Sequence, residues 1–198
     1  AMEGLPRKFE ATYQTQYVNH GTMEPMSCVA LVTAEKCELW CGTQSGQGSH
    51  AAAANAAGLP LEKVSVNRVM LGGGFGRRGA PQDFVTQSVL IAKEMLGVPV
   101  KMTWSREEDM THGWYRPIGA CKLTAGLDAN GDLQALHIRL AAPSILATVR
   151  PGALAKDGSD PSQFQGWFPG GTESPFGYMA VPNILIEAAM RNTNVPVA

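Results

Sequence analysis

Cysteine is scarce in this 198-residue chain: Cys28, Cys37, Cys41 and Cys121 are the full complement, with no CxxC pair among them. Four so scattered are too few for a disulfide scaffold of this size, and they read as reduced thiols. Cys37 and Cys41 are four apart, but on an extended segment that spacing separates their side chains by about 13 Å, which argues against a shared metal ion. Net charge is lacking too. Lys and Arg number 16 against 17 Asp and Glu, so no basic field exists to collect nucleic acid or an anionic membrane surface. The longest uncharged runs are broken by proline, glycine or polar residues well before the roughly 20 apolar residues a membrane-spanning helix needs, and no signal peptide opens the chain, so membrane insertion is not expected. Ala1 ahead of Met2 reads as a residue left by cloning, with the natural segment expected to begin at Met2.

What is present suffices for a folded core. Apolar residues make up 44% of a 21.1 kDa chain, enough for one large or two small domains. Glycine (22) and proline (13) are plentiful, which favours a loop-rich globular fold over low complexity.

Alternating apolar and polar residues predict a strand from Phe9 to Val18. A hairpin is expected from Cys28–Thr33 and Glu38–Cys41, turning near Ala34 to Lys36. The alanine-rich stretch after Ser49 predicts a short helix with Ser49 as N-cap and Gly58 just past its end. Val64, Val66 and Met70 predict a strand that runs directly into Gly72-Gly73-Gly74-Phe75-Gly76-Arg77-Arg78-Gly79. A second helix is expected from about Pro81 to Leu96, stopped by Gly97. Val98 to Trp104 returns to strand, and Ser105 with Glu108 has capping-box spacing. Ala120–Leu127 and Leu133–Leu140 flank Asp128-Ala129-Asn130-Gly131-Asp132 and predict a hairpin. From Pro143 to Pro175 the pattern dissolves, as in an extended surface segment or lid, before an apolar strand or short helix over Ile184–Met190. The expected class is α+β: a mixed β-sheet with two main helices packed on one face. Residues 1–142 are expected to form the α+β domain and 143–198 an irregular segment with a terminal strand.

Strand, consecutive glycines, then helix is the layout that presents unencumbered backbone N–H groups beside a positive helix end, suited to an anion. Gly74-x-Gly76-x-x-Gly79 also satisfies a dinucleotide fingerprint. Its acidic partner is poorly placed, because Glu107 lies 33 residues from Gly74 where about 20 is usual, and antiparallel strands precede the unit. Tight turning alone is the bland alternative, which Arg77 and Arg78 weigh against.

Four segments then carry a resemblance. Gly73-Gly74-Phe75-Gly76-Arg77-Arg78 is similar to the molybdopterin-contacting loop of the molybdenum hydroxylase (xanthine oxidase and aldehyde oxidoreductase) family. His20-Gly21-Thr22-Met23-Glu24-Pro25, Leu39-Trp40-Cys41-Gly42-Thr43-Gln44 and Val100 to Met110 resemble, in the same order, that family's His-x-x-Met-Glu-Pro, Trp-x-x-Thr-Gln and Trp-Ser-Arg-Glu-Glu-Asp-Met elements. Arg77-Arg78 and His112-Gly113-Trp114-Tyr115-Arg116-Pro117 point most closely to the large, or beta, subunit of the isoquinoline 1-oxidoreductase type. The resemblance covers residues 9 to 142 well and the tail loosely.

It implies a lobe that holds molybdopterin, as its cytosine dinucleotide form, with molybdenum. Gln44 is then expected to hydrogen-bond toward an oxygen on the metal, the amides near Phe75 and Gly76 to approach the cofactor, and Arg77 or Arg78 to pair with its phosphate. Gln44, Gly73, Gly74, Phe75, Gly76 and Arg77 are the expected cofactor-binding set. No catalytic residue and no protein metal ligand is expected here, because the family's general-base glutamate lies in a downstream segment. The resemblance further implies oxidation of aldehydes or N-heteroaromatic rings with water as oxygen source. It implies a partner subunit carrying [2Fe-2S] clusters, the remainder of the large subunit as a neighbour, and no turnover by this segment alone. A glutamate that binds purine in xanthine-oxidising relatives is replaced by Gly79 and Ala80, which counts against xanthine. Two other classes stay open: a nicotinamide-dependent oxidoreductase using Gly74–Gly79, and a non-enzymatic binding or assembly module.

Several residues read more simply. His20 is expected to be structural, Glu24 a structural contact near the metal motif, and Trp40 and Trp104 core residues. Glu107, Glu108 and Asp109 read as a solvated helix start. Trp114, Tyr115 and Arg116 read equally as substrate funnel or plain surface.

Overall fold

A computed structural model describes residues 2–79, 81–164 and 181–198. Along the chain the elements are β1 (Arg7–Thr15), β2 (Val18–Asn19), β3 (Ser27–Val32), β4 (Cys37–Cys41), α1 (Gly46–Ala57), β5 (Val64–Arg68), α2 (Asp83–Lys93), β6 (Val100–Thr103), α3 (Arg106–Thr111), β7 (Tyr115–Arg116), β8 (Gly119–Leu127), β9 (Leu133–Ala142), α4 (Ile145–Val149) and β10 (Asn183–Met190). They form two compact units, one of Ala1–Val18 with Arg116–Val197 and one of Asn19–Tyr115 with Ala198. The α+β class is borne out, with eight of the strands in two four-stranded mixed sheets and β2 paired with β7.

The first unit holds the sheet β1-β8-β9-β10, antiparallel except that β10 runs parallel to β9. The expected β8–β9 hairpin is present. Asp128 Oδ1 accepts the amides of Asn130 and Asp132, both at 2.9 Å, which closes the loop on itself. Val181, Leu136 and Ile138 are buried under this sheet with Leu123 and Ile186 packed against them. Ile184–Met190 resolves as strand. The irregular segment expected from Pro143 to Pro175 is described only as far as residue 164. There α4 is capped by Ser144, whose hydroxyl accepts the Ala147 amide at 2.8 Å and donates to the buried carboxylate of Asp160. The remainder of that segment lies outside the described residues.

The second unit positions the candidate site. Its sheet runs β5-β4-β3-β6, with β4 parallel to β5 and antiparallel to β3, and β3 antiparallel to β6. One face is apolar by strict alternation: Cys28, Ala30 and Val32 on β3, and Cys37, Leu39 and Cys41 on β4. Against it lie Ala53 and Ala54 of α1 and Phe84, Val85, Val89 and Ala92 of α2. Alanines let α1 approach closely, whereas Phe84 supplies bulk, and truncating it to alanine would cost about 3–5 kcal/mol.

The structure moves three helix-end expectations. Ser45, not Ser49, caps α1, its hydroxyl accepting the Gly48 amide at 3.2 Å. Ser49 is a turn inside, fully buried, and joins a polar network, while Gly58 closes the helix in the left-handed conformation as expected. Helix α2 begins at Asp83 rather than Pro81, because the Gln82 carboxamide turns back to donate to the Gly79 carbonyl at 2.6 Å. Its end comes at Lys93, before Leu96, which is exposed. Ser105 caps α3 through the Glu108 amide at 3.1 Å, as its spacing predicts.

Candidate functional site

Parallel β4 and β5 sit side by side, so their carboxyl ends open at the same edge of the sheet, and strands running this way deliver ligand loops there. From β4 comes Gly42-Thr43-Gln44, leading into α1; from β5 comes the glycine loop, leading into α2. Antiparallel β3 begins at that edge, which brings residues 20 to 26, and β6 ends there, which brings Trp104 to Asp109. Topology thus gathers all four sequence segments into one place.

Arginines knot them together. Arg78 is wholly buried; Nε donates to the Gly73 carbonyl at 2.9 Å, Nη1 to Gly42 at 3.3 Å, and Nη2 to the carbonyl of Glu24 at 2.8 Å and its carboxylate at 3.1 Å. Arg106 donates to the carbonyls of Thr22 and Met23 at 2.6 and 3.0 Å and pairs with Asp109 at 3.0 Å. Arg77 forks onto Asp83, the first residue of α2, at 2.9 and 2.8 Å, and its guanidinium sits 5.4 Å from the Trp104 ring centroid. Both guanidinium groups are buried and paired with carboxylates, an arrangement that leaves neither directed outward for the phosphate fork expected of Arg77 or Arg78. What these residues contribute is loop shape.

The loop itself is clasped around Gln44. Gln44 Oε1 accepts the amides of Gly76 at 3.0 Å and Arg78 at 3.3 Å, and the Gln44 amide donates to the Arg78 carbonyl at 3.0 Å. Two N–H donors on one side fix the carboxamide's orientation. Its Nε2 consequently points away from them and has no hydrogen bond among the described residues, on an exposed side chain. A Cβ at Gly74 would stand 2.4 Å from Gln44 Oε1, so any side chain there must push the carboxamide out of its clasp. Gly73 and Gly76 have φ of 101° and 105°, and Phe75, a residue 64% exposed, reaches 53°, a conformation rare outside glycine. The Gly73 and Gly74 amides are likewise without a hydrogen bond among the described residues. Gln44, Gly73, Gly74, Phe75, Gly76 and Arg77 are thus brought together, Gln44 and Phe75 exposed, Gly73 and Gly76 half-buried, Gly74 and Arg77 buried.

The buried support behind them is what residue-by-residue reading missed. Ser49 Oγ bonds Thr43 Oγ1 at 2.9 Å and Gln82 Oε1 at 2.6 Å, Thr43 reaches the Arg78 carbonyl at 3.3 Å, and Thr43 and Ser49 are buried. Only the polar content of an otherwise alanine-rich helix start hinted at it. Other residues fall into simpler places. His20 is structural, its ring nitrogens 3.1 Å from the carbonyls of Trp114 and Ala198. Trp104 is core, but Trp40 is half-buried on the sheet face away from the helices. Glu107 and Glu108 are exposed, whereas Asp109, 3% exposed, is drawn in by Arg106 rather than solvated.

The nicotinamide layout gains no support. Helix α2 leads to β6 at the far edge of the sheet, separated from β5 by β4 and β3, whereas a dinucleotide fold returns its helix to a strand beside the first.

The fold class is that of an α+β cofactor-binding domain. The family model described as molybdopterin cofactor-binding domain matches residues 1–144, and the chain belongs to this family. It is 34% identical over 140 residues to the isoquinoline 1-oxidoreductase subunit beta of Brevundimonas diminuta, across 70% of this chain and 18% of that protein. It is 29% identical over 132 residues to an indole-3-acetaldehyde oxidase of Zea mays, across 66% of this chain and 10% of that protein. Among solved structures, quinoline 2-oxidoreductase from Pseudomonas putida 86 matches with a TM-score of 0.62 at 20% identity, over 72% of this chain and 18% of that one. Aldehyde oxidoreductase from Desulfovibrio gigas matches with a TM-score of 0.62 at 15% identity, over 74% and 16%. The chain spans less than a fifth of the length of each of these relatives.

Proposed function

We propose that residues 1–142 are the molybdopterin-holding lobe of a molybdenum hydroxylase large subunit, and that Gln44 with the main chain of Gly73, Gly74, Phe75, Gly76 and Arg77 forms the part of the cradle this chain supplies. The observation that carries the reading is the clasp: the loop amides consume Gln44 Oε1, so Nε2 is left as an outward N–H donor. The same loop carries the amides of half-buried Gly73 and buried Gly74, which have no hydrogen bond among the described residues. Donors without acceptors, on backbone with no Cβ to intrude, suit an anionic, oxygen-bearing group, and the residues present therefore fit the cofactor.

When bound, the molybdenum cofactor supplies two-electron oxidation in which water furnishes the oxygen. This chain's residues do the holding. Gln44 orients a donor, the glycines admit close approach, and Glu24, Arg78, Asp83 and Arg77 keep the loop from rearranging. In the larger protein we place the cytosine dinucleotide form of the cofactor, aldehydes or N-heteroaromatic rings as substrates, and electron exit through a partner subunit with [2Fe-2S] clusters. We place the catalytic glutamate of the larger protein outside residues 1–198, so this segment alone is not expected to turn over.

The test is metal and pterin analysis of the purified full-length subunit, wild type and Gln44→Ala. The reading expects molybdenum and pterin in equal amounts in the wild type and a several-fold loss of both in the variant. A metal-free wild type, or saturable energy transfer from tryptophan to added NADH, would overturn it.

A further inference from the structure

On the helix-facing side of the second unit's sheet, two thiols stand against each other at the base of the Gln44 turn. The Thr33 amide donates to the Lys36 carbonyl at 2.9 Å, which makes that pair a hydrogen-bonded one at the hairpin end. Pairing alternates from there. Val32 opposite Cys37, Ala30 opposite Leu39 and, one step past Val29 opposite Trp40, Cys28 opposite Cys41 are the closely spaced positions. At such positions Cα atoms approach to about 4.5 Å, within the roughly 4.4–6.8 Å that a disulfide spans. The side chains share the same buried face, at 2% and 1% exposure. No other cysteine is so placed: Cys37 faces Val32, and Cys121 faces Tyr13 and Leu140.

The surroundings make the pair unequal. A hydrogen bond from the Cys28 thiol lowers the Cys41 thiol below its ordinary range, and this outweighs burial with help from the Ser49 hydroxyl and the Arg78 charge; Cys28 is pushed up. The 370 Å³ cavity that borders both residues, lined also by Ser27, Val29, Trp40 and Lys101, lies on the opposite face of the sheet, so peroxide reaches these buried sulfurs only as the helix-facing side breathes.

We propose that Cys28 and Cys41 are an oxidisable pair that closes to a cross-strand disulfide on reaction with hydrogen peroxide, a modification site three residues from Gln44. Cys41 reacts as the thiolate, because it is the sulfur with the stabilised charge. Its sulfur attacks one peroxide oxygen, the O–O bond breaks, and hydroxide leaves and takes up the thiol proton as water. The Cys28 sulfur then attacks the Cys41 sulfenic acid, the S–O bond breaks, and the Cys28 proton leaves with the hydroxyl as a second water. Two thiols give up two electrons, and one peroxide becomes two waters.

The experiment exposes the full-length protein to graded hydrogen peroxide, blocks remaining thiols under denaturing conditions, and maps peptides by mass. Expected is a Cys28–Cys41 linked peptide that disappears on treatment with dithiothreitol. In Cys28→Ser, checked for folding by its thermal melt, Cys41 should pass to sulfinic acid without linkage. Met23 and Met70, 88% and 96% exposed, report effective peroxide dose in the same digest. Free Cys28 and Cys41 at a dose that has oxidised both methionines would overturn the proposal, as would Cys41 over-oxidised without linkage in the wild type.

Discussion

Glu24 Oε2 receives the Arg78 guanidinium at 3.1 Å and the Gly72 amide at 2.8 Å. One carboxylate oxygen thereby joins the entrance of the glycine loop to its exit. The Glu24 amide returns a bond to the Gly72 carbonyl at 3.1 Å, and Gly72 has no room for a side chain because a Cβ would meet Glu24 Cβ at 2.6 Å. Loop conformation here is set by a residue 48 positions away.

Arg78 is the member of this arrangement with most to lose. Arg78→Lys keeps the charge but cannot reproduce a planar fork that reaches Gly73, Gly42 and Glu24 together. The substitution is expected to cost about 1–3 kcal/mol, the scale for leaving buried hydrogen-bond partners unsatisfied. Urea unfolding of the variant should show it, and a loss below about 1 kcal/mol would mean the loop holds its shape by other means.

Gly74 and Gln44 should be coupled. Gly74→Ala drives a methyl into Gln44 Oε1 and is expected to destabilise by about 1–3 kcal/mol, as overpacking does. With Gln44→Ala already in place the same change should cost much less. Equal costs in the two backgrounds of a double-mutant cycle would disprove the contact.

Glu24 gives the loop a pH dependence. Burial opposes its ionisation, but the Gly72 amide, the Ser27 hydroxyl and the charges of Arg78 and Lys101 outweigh burial and hold its carboxyl below the usual range. A folded-state pKa below the unfolded one stabilises above the unfolded value, about 4.3, and that contribution is lost as pH falls through the folded value. Thermal melts from pH 6 down to pH 3 should therefore show the advantage of wild type over Glu24→Gln narrowing on acidification. A constant gap would remove Glu24 as the cause.

Asp83 anchors Arg77 from the first turn of α2, where its charge also suits the helix dipole. Asp83→Ala would leave a guanidinium that is 2% exposed without its partner, at a cost of ~3 kcal/mol. Guanidinium chloride unfolding monitored by the fluorescence of Trp104, which lies under Arg77, measures the stability and reports the site together.

Much of the scaffold is written locally. The β3–β4 and β8–β9 hairpins, Gly58 and Ser105 as helix-end residues, and the strand-to-glycine-loop transition each depend on residues within a few positions, and the structure has all of them. Ser49 was the instructive miss. It has the residue type of an N-cap, yet Ser45 lies one turn earlier at the end of the β4 exit and takes the role, while Ser49 is drawn to Thr43 and Gln82. Asp109 similarly has the pattern of a solvated first-turn acid and is buried by its salt bridge with Arg106.

By itself the sequence determined the alternation that makes the apolar sheet face, the turns, the glycines at positive φ and the four segments that mark the family. Tertiary structure alone decided where Arg77 and Arg78 point. Two adjacent arginines beside a glycine loop look like anion ligands on paper; their partners, Asp83 on the next helix and Glu24 54 positions back, turn them inward. Side-chain direction follows from where strand pairing brings distant backbone, and the parallel pairing of β4 with β5 is what leaves Gln44, not an arginine, facing outward.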